Sequence, residues 1–421
     1  MKIISSGSRP KGKVAVPASK SHSIRAIFLA SLADGVSNIS NRLKSADANS
    51  AIAACRSLGA IIEEENGTLK MRGTGGKIRP INDPIDVGNS GTTARFALSM
   101  AALSDEAVSI TGDEQTRKRP MMPLCRSLEQ LGVELQGSHG EFLPIRLKGP
   151  IEGGTASVDG TTSQYLSSLL LHAPLCREQT TLILESLNEK PYVDMTIGWL
   201  EKVGVKVLRK NYSEFIIPPN QTIKCFNAAV PADFSSAAFF LALSAIEGTE
   251  LELEGLDMDD NQGDKMVIDF LKEMGADIEC GETIRIKGKK LKGATLDLNA
   301  TPDALPAMAV VGCLAEGTTR LSNVPQARIK ETDRIAVMAA ELKKMGADIE
   351  EEEEGLVIRH SPLKAAVVDG HSDHRVVMSL AVAGLAAKGV TTVTTAEAIN
   401  VTFPNFVELM SSLGAIMFLE T

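Results

Sequence analysis

Aromatic residues are scarce in this chain: they make up 4% of its 421 residues, and Trp199 is the sole tryptophan. That poverty argues against stacking platforms for single-stranded nucleic acid. Cation excess is lacking too. Forty-four Lys and Arg stand against 53 Asp and Glu, a net charge of -9, which argues against a phosphate-backbone binder and leaves room only for a local basic pocket. The six cysteines (Cys55, Cys125, Cys176, Cys225, Cys280, Cys313) form no C-x-x-C pair and no metal-ligand spacing. In a chain of this length they are expected as reduced core thiols. His22, His139, His172, His360 and His371 also lack metal spacing and are expected to be structural or exposed. No apolar run approaches the roughly 20 residues of a membrane helix. Met1 to Pro10 has no apolar core of a signal peptide. The expectation is a cytoplasmic protein with no nucleic-acid and no membrane partner.

What is present is an ordinary globular composition, 43% hydrophobic and 23% charged, in a chain too long for one core. Two domains or a repeat array follow as alternatives, and the glycines favour repetition. An apolar residue, then Gly, then Ala or Val recurs at Leu58-Gly59-Ala60, Leu131-Gly132-Val133, Val203-Gly204-Val205, Met274-Gly275-Ala276, Met345-Gly346-Ala347 and Leu413-Gly414-Ala415. Successive glycines lie 73, 72, 71, 71 and 68 positions apart. Each closes an amphipathic stretch, such as Ala48 to Leu58 or Ile335 to Met345, where glycine suits the left-handed position after a helix. Hairpin signals follow: Ile61 to Glu65 and Thr68 to Arg72 flank Asn66-Gly67, and Ile349 to Glu353 and Leu356 to Arg359 flank Glu354-Gly355. The acidic runs at Glu63 to Glu65 and Glu350 to Glu354 read as solvated hairpin rims. The sixth copy has one strand only, Ile416 to Glu420, and the strand-like Met1 to Ser5 is a candidate for its partner.

A second series runs in step with the first. Helices of small and apolar residues begin near Ile24, Thr93, Tyr165, Ser235, Asp303 and His374, and several are apolar nearly all round, as buried helices are. Their entrances are polar: Ser19-Lys20-Ser21, Asn89-Ser90-Gly91-Thr92, Thr162-Ser163-Gln164, Asp233-Phe234-Ser235-Ser236, Thr301-Pro302-Asp303 and Ser372-Asp373-His374-Arg375. Any one of these is adequately explained as a helix cap. Six in register, several with Lys, Arg or His beside the cap, point to a shared anion site, because orphan N–H groups and the positive dipole end favour phosphate and carboxylate. The expected architecture is α/β, six helix-and-sheet units of about 70 residues, three per domain. The expected domains are 18–228 and, together, 1–17 and 229–421, with the active site in the cleft between them.

Ordered motifs from residue 16 to 404 then resemble the EPSP synthase family of enolpyruvyl transferases. Val16-Pro17-Ala18-Ser19-Lys20-Ser21 with Arg25 is similar to its P-G-S-K-S…R opening, and Gly88-Asn89-Ser90-Gly91-Thr92 to its G-N-[AS]-G-T. Gly112-Asp113 to Arg119-Pro120 resembles G-D…R-P. Thr162-Ser163-Gln164-Tyr165 and Lys190-Pro191-Tyr192-Val193-Asp194 resemble S-S-Q-[YF] and K-P-Y-x-D. Further on come Pro302-Asp303-Ala304, Arg328-Ile329-Lys330-Glu331-Thr332-Asp333-Arg334, Asp373-His374-Arg375 and Thr402-Phe403-Pro404. The resemblance implies a two-domain inverse α/β barrel. It also implies transfer of the enolpyruvyl group of phosphoenolpyruvate to the 5-hydroxyl of shikimate 3-phosphate, with no metal and no organic cofactor. The expected assembly is a monomer.

The roles it implies are specific. Asp303 and Glu331 would act as acid and base, with Lys20 and His374 assisting. Phosphoenolpyruvate would be held by Lys20, Asn89, Gly91, Thr92, Arg119, Gln164, Arg334 and Arg375. Shikimate 3-phosphate would be held by Lys20, Ser21, Arg25, Thr162, Ser163, Gln164, Tyr192, Asp303, Gln326 and Lys330. Arg forks suit carboxylate and phosphate, and Lys serves as a point charge.

Four positions depart from that pattern. Val401 stands where the family has a Lys for phosphoenolpyruvate, and Glu189 where it has a Ser for the 3-phosphate. Gln326 replaces Asn, and Thr162 replaces the first Ser of S-S-Q. A different shikimate-like acceptor, an elimination without phosphoenolpyruvate, or a non-catalytic anion-binding protein therefore remain alternatives. The related transferase for UDP-N-acetylglucosamine carries a cysteine in the loop matching Gly112 to Pro120, and none is present here.

Overall fold

Each of the six Gly-Ala or Gly-Val signals ends a helix by the same hydrogen bond. In the computed structural model, which describes residues 1–137 and 141–421, the six glycines lie at φ between 82 and 103°, where a side chain would be strained. The residue after each donates its N–H to a carbonyl five positions back: Ala60 to Cys55, Val133 to Leu128, Val205 to Leu200, Ala276 to Leu271, Ala347 to Leu342 and Ala415 to Met410, at 2.8 to 3.1 Å. This bond closes a helix end by capturing an orphan carbonyl. The helices so ended are Ala46–Ser57, Met122–Gln130, Lys190–Lys202, Met266–Glu273, Arg334–Lys344 and Phe406–Ser412. His139 lies outside the described residues.

The second helix series is Lys20–Leu32, Gly91–Ala101, Ser163–His172, Phe234–Ala242, Leu305–Leu314 and His374–Ala386. Nearly every residue of these helices is buried. The sequence placed their starts a few residues late in most cases, because apolar periodicity begins after the cap. Ser19, Ser90, Thr162, Asp233 and Asp373 accept the first-turn N–H groups. The fifth differs in kind: Pro302–Ala304 form a 3-10 turn and the α-helix starts only at Leu305, so Asp303 sits on the turn.

Six four-stranded sheets accompany the helices, each with one parallel and two antiparallel pairings. The Ile61–Glu65 and Thr68–Arg72 hairpin turns through Asn66 and Gly67, both at positive φ, as its tight turn requires. Lys2–Ser6 pairs antiparallel with Ile416–Glu420, completing the sixth sheet from the far end of the chain.

Contacts divide the chain into two units, Ala18–Val230, and Met1–Pro17 with Pro231–Thr421. Each holds three buried helices and three sheets around one core. In the first unit Phe28 meets Phe96 edge-on at 5.4 Å. In the second, Phe403 meets Phe406 at 5.5 Å and Phe239 meets Phe406 at 5.9 Å. Such pairs contribute roughly 0.5–1.5 kcal/mol beyond their buried area.

The six cysteines carry no disulfide. Cys55, Cys125, Cys176 and Cys313 are buried, whereas Cys225 and Cys280 are exposed, a correction to the expectation of six core thiols. Cys280 ends the strand Asp277–Cys280 at the edge of its sheet, in which Ile278 alone is buried. Among the described residues no group of His, Cys, Asp and Glu is arranged to hold a metal ion, and no helix is long and apolar enough to cross a membrane.

Candidate active site

The candidate residues gather at helix entrances, in two sets, one in each unit. In the Ala18–Val230 unit the first entrance presents Lys20, whose Nζ lies 3.4 Å from Asp47 Oδ2, with Ser21 beside it on the opening turn. Arg25, one turn further, is 2% exposed. Its Nε donates to Thr196 Oγ1 at 2.8 Å, and its terminal nitrogens donate to the carbonyls of Ser21 and Tyr192 and to Ser167 Oγ. Burial lowers its pKa to about 10, against the opposing charges of Tyr192 and Glu189. Arg25 thus ties its own helix to two others through protein oxygens.

The second entrance presents Asn89, Gly91 and Thr92. Asn89 Nδ2 donates to Asp113 Oδ2 at 2.7 Å and to Gln115 Oε1 at 2.6 Å, which fastens the entrance to the loop ending in Arg119. Gly91 has no side chain for a steric reason: a Cβ there would collide with Arg119 Nη1. Arg119 itself is 8% exposed. At the third entrance Gln164 Oε1 accepts from Arg95 Nη1 at 2.7 Å. Tyr192 lies on the opening turn of Lys190–Lys202, and its carbonyl accepts from Arg25 and Thr196.

Thr162 and Ser163 are engaged by a residue that the sequence marks only as a departure. Glu189 Oε2 accepts from Thr162 Oγ1 at 3.1 Å, Ser163 N at 3.1 Å and Ser163 Oγ at 2.7 Å.

In the other unit the set centres on Arg334, 1% exposed. Its Nη1 donates to Asp303 Oδ1 at 2.7 Å, Nη2 to Glu331 Oε2 at 2.5 Å, and Nε to Asp373 Oδ2 at 2.8 Å. Burial by itself would weaken the guanidinium's hold on its proton. Asp373, Glu331 and Asp303 outweigh it and raise the pKa above the ordinary value. Arg375 Nη2 lies 2.9 Å from Asp303 Oδ2, so the Asp303 carboxylate is bridged by two guanidiniums. Asp373 also caps the helix that carries His374 and Arg375, accepting the Arg375 N–H at 2.9 Å. His374 is buried at the first position of that helix. Lys330 is half-buried at the end of the Pro325–Ile329 turn. Gln326 Nε2 donates to the Asn299 carbonyl at 2.9 Å, while its buried Oε1 has no hydrogen-bond partner among the described residues. Val401 ends the Ala396–Val401 turn. The Asp233 entrance is a cap: Asp233 Oδ2 accepts from Ser236 N and Ser236 Oγ.

Sequence reasoning missed Asp264. It is 1% exposed; Thr301 Oγ1 donates to its Oδ1 at 2.7 Å and Ser235 Oγ to its Oδ2. Burial first, then the Asp303 charge, raise its pKa, and Arg375 opposes them. Gln262, two residues earlier, accepts from Phe234 N and donates to the Ala232 carbonyl. The Gln262-Gly263-Asp264 segment therefore fixes two helix entrances at once. No local signal marks Asp264, because its partners Ser235 and Thr301 lie 29 and 37 positions away.

Buried helices entered through polar turns, with one carboxylate bridged by two guanidiniums in one unit, are the equipment of a protein that handles small anions. A model of the family EPSP synthase (3-phosphoshikimate 1-carboxyvinyltransferase) matches residues 4–410. A 3-phosphoshikimate 1-carboxyvinyltransferase of Acetivibrio thermocellus is 52% identical, covering 97% of both chains. One of Ruminiclostridium cellulolyticum is 50% identical, covering 96% of both. The solved EPSP synthase of Acinetobacter baumannii aligns over 100% of both chains with a TM-score of 0.84 at 28% identity. The chain belongs to the EPSP synthase family, and its fold is that family's two-domain inverse α/β barrel.

Proposed function

We propose that this chain transfers the enolpyruvyl (carboxyvinyl) group of phosphoenolpyruvate to the 5-hydroxyl of shikimate 3-phosphate, a step of the shikimate pathway. The observation that carries the reading is the Asp303 carboxylate held between Arg334 and Arg375, with Glu331 on the same Arg334 guanidinium.

The reaction is an addition followed by an elimination. The acceptor's 5-hydroxyl oxygen bonds to C2 of phosphoenolpyruvate and gives up its proton, while C3 takes one. The tetrahedral intermediate then loses phosphate and one methyl proton, restoring the double bond. One group must accept a proton and another must lend one, both among anions. Two carboxylates on one guanidinium are suited to this, because the shared cation holds both in position for proton transfer. Asp303 is assigned to the acceptor hydroxyl and Glu331 to the methylene carbon, with Lys20 and His374 as assisting groups. The sequence assignments of phosphoenolpyruvate to Arg119, Arg334 and Arg375, and of the acceptor to Ser21, Thr162, Ser163, Gln164, Tyr192, Gln326 and Lys330, complete the proposal. Arg25 is the exception. Its donors face protein oxygens, so it supports the acceptor residues by holding Tyr192 and Thr196.

The test is release of phosphate from shikimate 3-phosphate plus phosphoenolpyruvate, with the enol ether product identified by mass. Asp303→Asn is expected to lower kcat by roughly 10²–10⁴ while the circular dichroism spectrum is kept. Absence of turnover in the parent protein would exclude this activity.

A further inference from the structure

Glu189 is 2% exposed, and its carboxylate rests on the donors at the opening of the Ser163–His172 helix: one backbone N–H and two hydroxyls. Orphan N–H groups with hydroxyls beside them are the equipment with which a helix start receives phosphate. Here an anion carried by the chain itself is already seated on them.

The placement is specific to this residue. Glu189 has φ 57° and ψ 38°, the left-handed region, and it immediately precedes the Lys190–Lys202 helix. A non-glycine residue persists there only where surrounding bonds over-determine it. The three donated hydrogen bonds from residues 26 and 27 positions away supply that constraint. The carboxylate charge also reaches Arg25 and Arg95, where it opposes the lowering of both pKa values by burial. Glu189 therefore places negative charge on the Thr162 and Ser163 donors, near two guanidiniums whose own hydrogen bonds go to protein oxygens.

We infer that Glu189 is a tethered anion that sets acceptor selectivity, so that a phosphorylated acceptor binds only by displacing its carboxylate from Thr162 and Ser163. The inference rests on the activity proposed above. Two anions cannot share these donors, because each N–H and O–H serves one acceptor well and like charges in contact repel. Acceptor affinity is thus reduced by the cost of moving Glu189, and discrimination in favour of the phosphorylated acceptor over the bare ring is reduced with it.

The experiment compares the parent protein with Glu189→Ser, which withdraws the side chain, and Glu189→Gln, which keeps its shape without the charge. Calorimetric titration with shikimate 3-phosphate alone is expected to show roughly 10- to 100-fold tighter binding for Glu189→Ser, on the scale of a charged hydrogen bond, and a smaller gain for Glu189→Gln. In steady-state assays the acceptor KM should fall by more than kcat changes. The ratio of kcat/KM for shikimate 3-phosphate over shikimate should rise. Thermal melts identify any variant that fails to fold, and the second variant then carries the comparison. Equal or weaker binding of shikimate 3-phosphate in folded variants overturns the inference. Tighter binding without phosphate release in any of the proteins supports the tethered anion and counts against the proposed activity alone.

Discussion

Arg334 Nη1 donates to Asp303 Oδ1 over 2.7 Å, and the same guanidinium holds Glu331 and Asp373. The family pattern assigns Arg334 to phosphoenolpyruvate, yet here most of its N–H groups are taken by carboxylates. It holds in place the two carboxylates proposed as acid and base, whatever else it touches. Arg334→Lys keeps the charge but not the fork. It is expected to lower the unfolding free energy by about 1.5–3 kcal/mol, the scale of a lost hydrogen bond to a charged group, and to abolish measurable phosphate release. Chemical denaturation followed by circular dichroism reads the first, and the coupled phosphate assay the second.

Gly91→Ala tests the contact with Arg119. The added methyl must push the Arg119 guanidinium aside, and a charged hydrogen bond to phosphate is worth about 1.5–3 kcal/mol. The KM for phosphoenolpyruvate is expected to rise roughly 10- to 100-fold by that measure, with the acceptor KM and the melting temperature little changed. An unchanged phosphoenolpyruvate KM would place Arg119 outside that substrate's contacts.

Asp264 gives a pH-dependent stability of defined sign. Burial and the Asp303 charge hold its pKa above the ordinary 3.8. Between 3.8 and the raised value the native state keeps a proton that the unfolded chain loses, so stability falls as pH rises through this window. Asp264→Asn removes that term. Urea unfolding at a series of pH values should show the variant gaining on the parent as pH rises. A difference constant with pH would show that Asp264 does not titrate in this way.

His172 has the opposite sign. Buried, with Nδ1 2.6 Å from the Ser168 carbonyl, it is lowered by burial from 6.5 to about 4. Below 6.5 the unfolded chain takes up a proton that the native state refuses until about pH 4. Stability therefore falls on acidification across that window, by about 1.4 kcal/mol per pH unit. Its neighbour Phe28 lies edge-on at 6.4 Å, so His172→Leu is tolerated by an apolar surrounding and should flatten that slope. Unfolding curves between about pH 4 and 6.5 measure it.

The six-fold repeat was legible because its causes are local. A helix ends where glycine supplies a positive φ, and the next residue closes the end by its own N–H, so Gly59, Gly132, Gly204, Gly275, Gly346 and Gly414 mark six helix ends in the sequence itself. The Asn66-Gly67 turn and the caps at Ser19, Ser90, Thr162 and Asp373 are local in the same sense. The partner of the last strand was legible for a related reason, since one repeat was a strand short and one terminal strand was unassigned.

What each charged group faces was decided by tertiary structure. Nothing in the chain around Glu189 says that its carboxylate meets Ser163, because that contact depends on two helix starts being brought together. The same holds for Asp264 with Thr301, 37 positions away, and for Arg334 with Asp373, 39 positions away. Sequence fixes which residues carry charge and where the backbone turns, since both act within a few residues. Which charge is satisfied by which depends on packing between distant segments, and burial then sets its strength.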